Sequence, residues 1–245
     1  VVVRVRPPLG CEKDKGLLEV SGDTVQLNEQ ATKLTSVPTV PTKVFRFDKV
    51  FGGSARTESM VDTISKRAVD ELMQGKSAAI LAYGKTGSGK TYTMFGGVEG
   101  PDAKGLAQHT FELLVERIKD RVDEEGADVQ YKFECSMLQL YLGTPYDLLA
   151  KEPSRPLVLI RDTVERTLSN AGGAFCATLP SAERPECGLS AEELTGVMER
   201  GLKHRSTAST AMNDTSSRSH CIFTVEILRL DNTHCRRDKL GILSI

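Results

Sequence analysis

Gly84-Lys85-Thr86-Gly87-Ser88-Gly89-Lys90-Thr91 matches G-x-x-x-x-G-K-[ST], a pattern whose chemistry is the binding of a polyphosphate. Average residue frequencies make a chance match in a chain of this length an event on the order of one in a hundred. Glycines at 84, 87 and 89 let backbone N–H groups turn inward around an anion with no Cβ in the way. The positive end of the helix that follows faces the same anion. Lys90 is expected to reach the β- and γ-phosphates, and the Thr91 hydroxyl to coordinate Mg²⁺. A second stretch, Asn213-Asp214-Thr215-Ser216-Ser217-Arg218-Ser219-His220, gathers small hydroxyls around one cation. By itself it reads as a polar loop of turn formers. Beside a phosphate loop it gains a task, because a nucleotide hydrolase needs a second loop that senses the γ-phosphate and positions water.

These two loops must be held by regular elements. Ala78–Tyr83 is a short continuous apolar run, as expected of a strand buried on both faces, and it leads straight into the glycine-rich turn. Apolar residues at Met60, Val61, Ile64, Ala68, Val69, Leu72 and Met73 make a helical stripe that stops at Gly75. Leu106, Phe111, Leu114, Ile118 and Val122 make another. Ser190 and Glu193 form an S-x-x-E capping box that opens a helix with Leu194, Val197, Met198 and Leu202 on its apolar face. Val1–Arg6, Tyr131–Tyr141, Leu157–Ile160 and Cys221–Leu230 read as strands, and residues 10–43 as a surface excursion with short strands. Strands alternating with helices predict one α/β domain, its sheet covered on both sides.

Composition removes other classes. The 245 residues carry 32 Lys+Arg against 33 Asp+Glu, with 39% hydrophobic residues, the profile of an ordinary globular chain. No stretch approaches the ~20 apolar residues a membrane-spanning helix requires, so no membrane insertion is expected. A formal net charge of −1 gives no reason to expect nucleic acid, and any acidic partner must be held by a local patch. The six cysteines (Cys11, Cys135, Cys176, Cys187, Cys221, Cys235) contain no C-x-x-C pair and read as reduced packing residues.

Taken together the motifs resemble the kinesin motor domain. Ala82–Met94 reads AYGKTGSGKTYTM against the family's AYGQTGSGKTYTM, and Asn213–His220 matches the first switch, N-x-x-S-S-R-S-H, at every fixed position. Arg4-Val5-Arg6-Pro7 matches R-x-R-P of the first strand. Phe47-Asp48-Lys49-Val50-Phe51, Tyr146-Asp147-Leu148-Leu149 and the Gly201…Arg205 helix end follow in the family's order, so the resemblance covers nearly the whole chain.

The resemblance implies a P-loop NTPase-type mixed central sheet flanked by helices on both faces. It also implies a microtubule-stimulated motor that hydrolyses ATP to ADP with Mg²⁺. Arg4 and Pro7 would border the adenine, with Tyr92 stacking on its other side. Gly84, Lys85, Thr86, Gly87, Ser88, Gly89, Lys90 and Thr91 would cradle the phosphates. Thr91 and Ser217 would hold Mg²⁺, Asn213 and Ser216 the γ-phosphate and the attacking water. Arg218 would pair with an acidic residue of the second switch. The implied partner is the microtubule, the implied location the cytoplasmic cytoskeleton, and dimerisation would run through a coiled coil outside these residues.

Two departures stand out. Lys85 occupies a position where the family usually has Gln; a cation there either tightens nucleotide binding by attraction or points into water, the second being favoured because exposed cations contribute little. The second-switch motif D-L-A-G-S-E and the main microtubule-binding helix do not occur within residues 1–245, so this segment alone is expected to hydrolyse ATP poorly. A kinesin-like protein that binds microtubules without turnover is the alternative. Arg155, Arg161 and Arg166 lie in a region where the family touches tubulin, but with Asp162 and Glu165 diluting the charge they read equally well as a solvated charged loop.

Overall fold

Prolines cannot donate to a ladder, so the β-branched run at the start of the chain has to end before Pro7-Pro8. In the computed structural model β1 (Val2–Arg4) does so. The structure describes residues 1–8, 18–27, 43–97, 103–126, 128–150, 175–178, 190–211, 219–231, 234 and 236–245. They divide into two compact units, Val1–Met60 and Val61–Ile245.

In the first unit, β2 (Leu18–Ser21), β3 (Thr24–Leu27) and β4 (Lys43–Arg46) form an antiparallel meander. Val20, Val25 and Phe45 lie opposite one another across it. Gly22, with φ +57°, turns the two-residue loop between β2 and β3, where a side chain would be strained. β2 and β3 are short strands of the kind expected within residues 10–43, and β4 begins where that span ends. β5 (Lys49–Phe51) pairs with β1 in parallel, Val3 opposite Val50, and the unit ends in a 3₁₀ turn at Thr57–Met60.

The second unit is built on a mixed sheet. β6 (Ala78–Ala79), β7 (Val129–Tyr141), β8 (Thr144–Asp147), β9 (Phe175–Thr178), β10 (Ser219–Asp231) and β11 (Arg236–Ser244) run in the order β6-β11-β10-β7-β8. β9 and β8 share the outer edge of β7, facing Lys132–Cys135 and Leu138–Tyr141 respectively. Only β6 and β11 are parallel; the other pairs are antiparallel.

Among the described residues four helices accompany this sheet: α1 (Ser65–Met73), α2 (Lys90–Phe95), α3 (Leu106–Glu125) and α4 (Ala191–Ala211). The buried residues of α3 (Leu106, Phe111, Leu114, Ile118) recur at helical spacing, as the sequence predicts. The α4 capping box forms on both sides: Ser190 N–H donates to Glu193 Oε2 and Glu193 N–H to Ser190 Oγ, both at 3.1 Å. The core joins α1, α3 and α4 to one sheet face, that of Phe133, Cys135, Met137, Phe223, Val225 and Ile227. Phe111 of α3 meets Phe223 with ring centroids 5.5 Å apart. α4 approaches so closely at Gly201 that a Cβ there would collide with Met137. Gly241 of β11 leaves room for Lys76 O and Leu72 at the end of α1. The opposite face presents Lys132, Glu134 and Glu226, and Ile222 stands exposed on it.

Two expectations need correction. The stripe from Met60 to Met73 is not one helix: a 3₁₀ turn and a loose turn come first, and regular α-helix starts at Ser65. Both turns keep the apolar residues on one side, so the stripe alone did not separate them. Nor is Ala78–Tyr83 a strand buried on both faces. The ladder reaches Ile80, whose N–H donates to Ser244 O at 2.8 Å, while Ile245 is already paired with Phe223. Leu81 and Tyr83, without ladder partners among the described residues, are 87% and 97% exposed. The strand expected at Leu157–Ile160 lies outside the described residues.

Candidate functional site

Backbone conformation is what makes Gly84–Gly89 a cradle. Gly87 and Gly89 have φ of +78° and +92°, a region that costs an L side chain roughly 1–2 kcal/mol. Gly84 is needed for a different reason: a Cβ on it would lie 2.5 Å from Ser88 Oγ. Ser88 N–H donates to Lys85 O at 3.0 Å, which closes the turn, and Thr93 N–H to Gly89 O at 2.9 Å, which opens α2.

Lys90 stands at the first position of α2. Its ammonium donates to Gly84 O at 2.8 Å and Lys85 O at 3.0 Å, so the cation sits across the mouth of the loop. Lys85, Thr86, Thr91 and Tyr92 are exposed around it. Lys85 is therefore a solvent-facing cation, as expected. A tight loop with two positive-φ glycines, with an ammonium and a hydroxyl at the start of the next helix, suits a phosphate chain.

Arg4 and Pro7 belong to the first unit. The Arg4 guanidinium donates to Thr57 Oγ1 at 3.0 Å and Ala55 O at 3.2 Å, so the loop after β5 fixes it. Gly53 runs beside the Pro7 ring, where a Cβ would stand 3.4 Å from Pro7 Cα.

Asn213, Ser216, Ser217 and Arg218 lie outside the described residues, as do Arg155, Arg161 and Arg166. The elements on either side of 212–218 are defined. Arg205 near the end of α4 donates to Ser219 Oγ at 3.1 Å, at the first residue of β10. One turn of the same helix also reaches β8's exit, with His204 Nδ1 2.8 Å from Leu148 O. Burial pushes the Cys221 thiol up to about 11, the Arg205 charge offsetting only part of this, so the thiol stays protonated and unreactive.

Three side chains matter here that the motifs did not single out. Arg205 was noted only as the end of a helix pattern, without its bond to Ser219. Asp147 was noted as part of Tyr146–Leu149. Its Oδ1 accepts from Leu149 N–H at 2.9 Å, whereas Oδ2 is buried with no hydrogen-bond partner among the described residues. Gln108 carried no signal in the sequence, a polar residue beside an apolar stripe. It joins α2 to α3: Oε1 accepts from Gly105 N–H at 2.9 Å, and Nε2 donates to Phe95 O at 3.0 Å.

Known proteins bear on this arrangement. The kinesin motor-domain family model matches residues 4–244. Kinesin-like protein KIN-12B of Arabidopsis thaliana is 29% identical over 253 residues, taking in 100% of this chain and 17% of its own. Kinesin-like protein KIF15 of Strongylocentrotus purpuratus is 32% identical over 232 residues, 93% of this chain and 15% of the relative. Its namesake in Rattus norvegicus is 31% identical over 241 residues, 95% of this chain and 16% of the relative. The chain thus spans less than a fifth of the length of each. Among solved structures, a fast kinesin matches with TM-score 0.74 and 26% identity, across 99% of this chain and 63% of that one. With one family model running from Arg4 to Ser244 and the phosphate loop folded within it, the chain belongs to the kinesin motor-domain family.

Proposed function

We propose that residues 1–245 form the N-terminal and central part of one motor domain that binds and hydrolyses ATP and couples the nucleotide state to its grip on a microtubule. The observation that carries this reading is the Gly84–Thr91 loop, which combines two positive-φ glycines with a Lys90 ammonium held against the Gly84 and Lys85 carbonyls. Family membership supports it, and so does the matched fast kinesin, whose title refers to its ATPase mechanism and its interactions with microtubules.

The roles follow from charge and reach. A triphosphate replaces the Gly84 and Lys85 carbonyls as the acceptor for the Lys90 ammonium, because a charged acceptor makes the stronger hydrogen bond. Lys90 then stabilises charge that builds on the phosphates as the terminal bond breaks. Gly84, Lys85, Thr86, Gly87, Ser88 and Gly89 line the phosphate chain, with Lys85 facing solvent. Mg²⁺, when bound, neutralises phosphate charge, and Thr91 and Ser217 supply its hydroxyl ligands. Asn213 and Ser216 hold the terminal phosphate and orient water for in-line attack. Arg218 closes the site against an acidic group outside these residues. Tyr92 offers an aromatic face to the base, a stack worth roughly 1–3 kcal/mol. A motor of this kind acts in the cytoplasm on the microtubule cytoskeleton.

Equilibrium binding of ADP with Mg²⁺ tests the pocket. Lys90→Ala is expected to weaken binding on the order of a hundredfold. Unchanged affinity in that variant would remove Lys90 from the site.

A further inference from the structure

We propose that Gln108 is a positioning residue for the nucleotide site: it fixes α2, and so Lys90 and Thr91, against the rigid helix α3. The inference rests on the nucleotide reading given above.

The helix that carries Lys90 and Thr91 is six residues long. A helix this short cannot hold itself, since nucleation costs more than its few internal bonds return. Two of those bonds run from Thr93 N–H to Gly89 O and from Gly96 N–H to Tyr92 O, both 2.9 Å. What secures α2 is its far end. Met94 is buried there, and the backbones at Gly96 and Gly105 meet so closely that a Cβ on either would collide with the other strand of chain. The two ends of the connection from α2 to α3 are thereby brought together.

Gln108 lies across this meeting point, only 9% exposed. Its carbonyl oxygen accepts from the Gly105 N–H at the start of α3, and its amide nitrogen donates to the Phe95 carbonyl at the end of α2. Gly105 has no side chain to return the bond, so this is half of a capping box. The other half of the amide is spent on α2. α3 is a good anchor, with 20 residues and a fully buried face against the sheet. From Phe95 to Lys90 the helix rises only about 7.5 Å, at 1.5 Å per residue, so a shift at one end reaches the other undiminished.

The two hydrogen bonds need different chemistry, which makes them separable. Gln108→Glu keeps an acceptor for Gly105 N–H, and a carboxylate suits a helix start. It also sets a second acceptor against the Phe95 carbonyl and breaks the tie to α2. Gln108→Met removes both bonds.

The test uses the full-length natural protein and a fluorescent ADP derivative with Mg²⁺, alongside thermal unfolding and amide hydrogen exchange. Gln108→Glu is expected to weaken ADP binding roughly ten- to a hundredfold, as loss of one hydrogen bond to a charged group does. Its unfolding temperature should fall only slightly, the cost of a carboxylate set against a carbonyl at a nearly buried position. The Thr93 and Gly96 amides should exchange faster while those of α3 do not. Wild-type ADP affinity in Gln108→Glu would overturn the proposal. If that variant unfolds much earlier, the exchange pattern decides. Opening confined to α2 supports the positioning role; opening spread through α3, with Gln108→Met behaving alike, overturns it. Lys90→Ala runs as the blank. If the wild-type protein itself fails to bind ADP, the nucleotide reading falls and this proposal with it. If wild type binds, Lys90→Ala does not, and Gln108→Glu binds like wild type, only the role of Gln108 is lost.

Discussion

Lys90 donates to the carbonyls of Gly84 and Lys85 only because the loop between them doubles back, and that path depends on Gly87 and Gly89. Gly89→Ala places a Cβ at φ +92°, a cost of roughly 1–2 kcal/mol. The free loop relaxes to relieve this strain and ADP must restore it, so ADP affinity is expected to drop roughly five- to thirtyfold while global unfolding moves little. Wild-type affinity in Gly89→Ala would show that the phosphate does not need this conformation. The loop was legible in the sequence because its glycines are required by backbone geometry that no other residue supplies cheaply. Gln108 was illegible for the opposite reason. One glutamine in a helix is unremarkable until its two partners, Gly105 N–H and Phe95 O, are seen to belong to different helices.

Between elements, two junctions carry testable energetics. β7 and β8 are joined by Leu142-Gly143, with φ of +49° and +82°. A two-residue hairpin loop of this kind favours Asn-Gly, yet Leu142 sits there 66% exposed. Leu142→Asn is expected to raise stability by about 0.5–1 kcal/mol, read as a higher unfolding temperature. A lower one would mean that the leucine makes contacts that repay its strain.

The second junction is Glu125, at the end of α3. It accepts from Tyr131 OH at 3.0 Å, Arg229 Nε at 3.0 Å and Arg121 Nε at 3.2 Å, which ties α3 to β7 and β10. Burial alone would push its carboxyl up, but these bonds outweigh that and hold it below the ordinary 4.5. A depressed carboxyl stabilises the fold above the unfolded value and loses that contribution as pH falls through the folded one. The stability gap between wild type and Glu125→Gln should be full at neutral pH and shrink below pH 4.5. Tyr131 moves the other way: burial first, then Glu125, pushes its hydroxyl up to about 12. Its contribution is complete below the ordinary 10 and fades as pH rises towards 12, a loss that Tyr131→Phe should remove. Denaturant unfolding across pH checks both. A gap independent of pH would show that the junction is held by packing alone.

Long elements were readable because α3 repeats its apolar residues over five turns, and because alternation in β7 and β10 marks one buried face. Ala78–Tyr83 was misread because an apolar run reports composition, whereas a strand also needs neighbours. Among the described residues those end at Ile80.

At the scale of the molecule, a single family model spans residues 4–244, while the described contacts fall into the units Val1–Met60 and Val61–Ile245. Arg4 and Pro7, in one unit, and Lys90, in the other, were linked in the sequence only by family resemblance, since no local pattern connects residues so far apart. The proposed reaction requires these groups, the hydroxyls of 213–218 and a microtubule to act together. Steady-state ATPase of the full-length natural protein, measured with and without microtubules beside a Lys90→Ala blank, tests that requirement most directly. The account predicts turnover that microtubules stimulate and that Lys90→Ala abolishes. Microtubule binding with no turnover in the wild-type protein would contradict it, leaving a filament-binding protein whose phosphate loop does no chemistry.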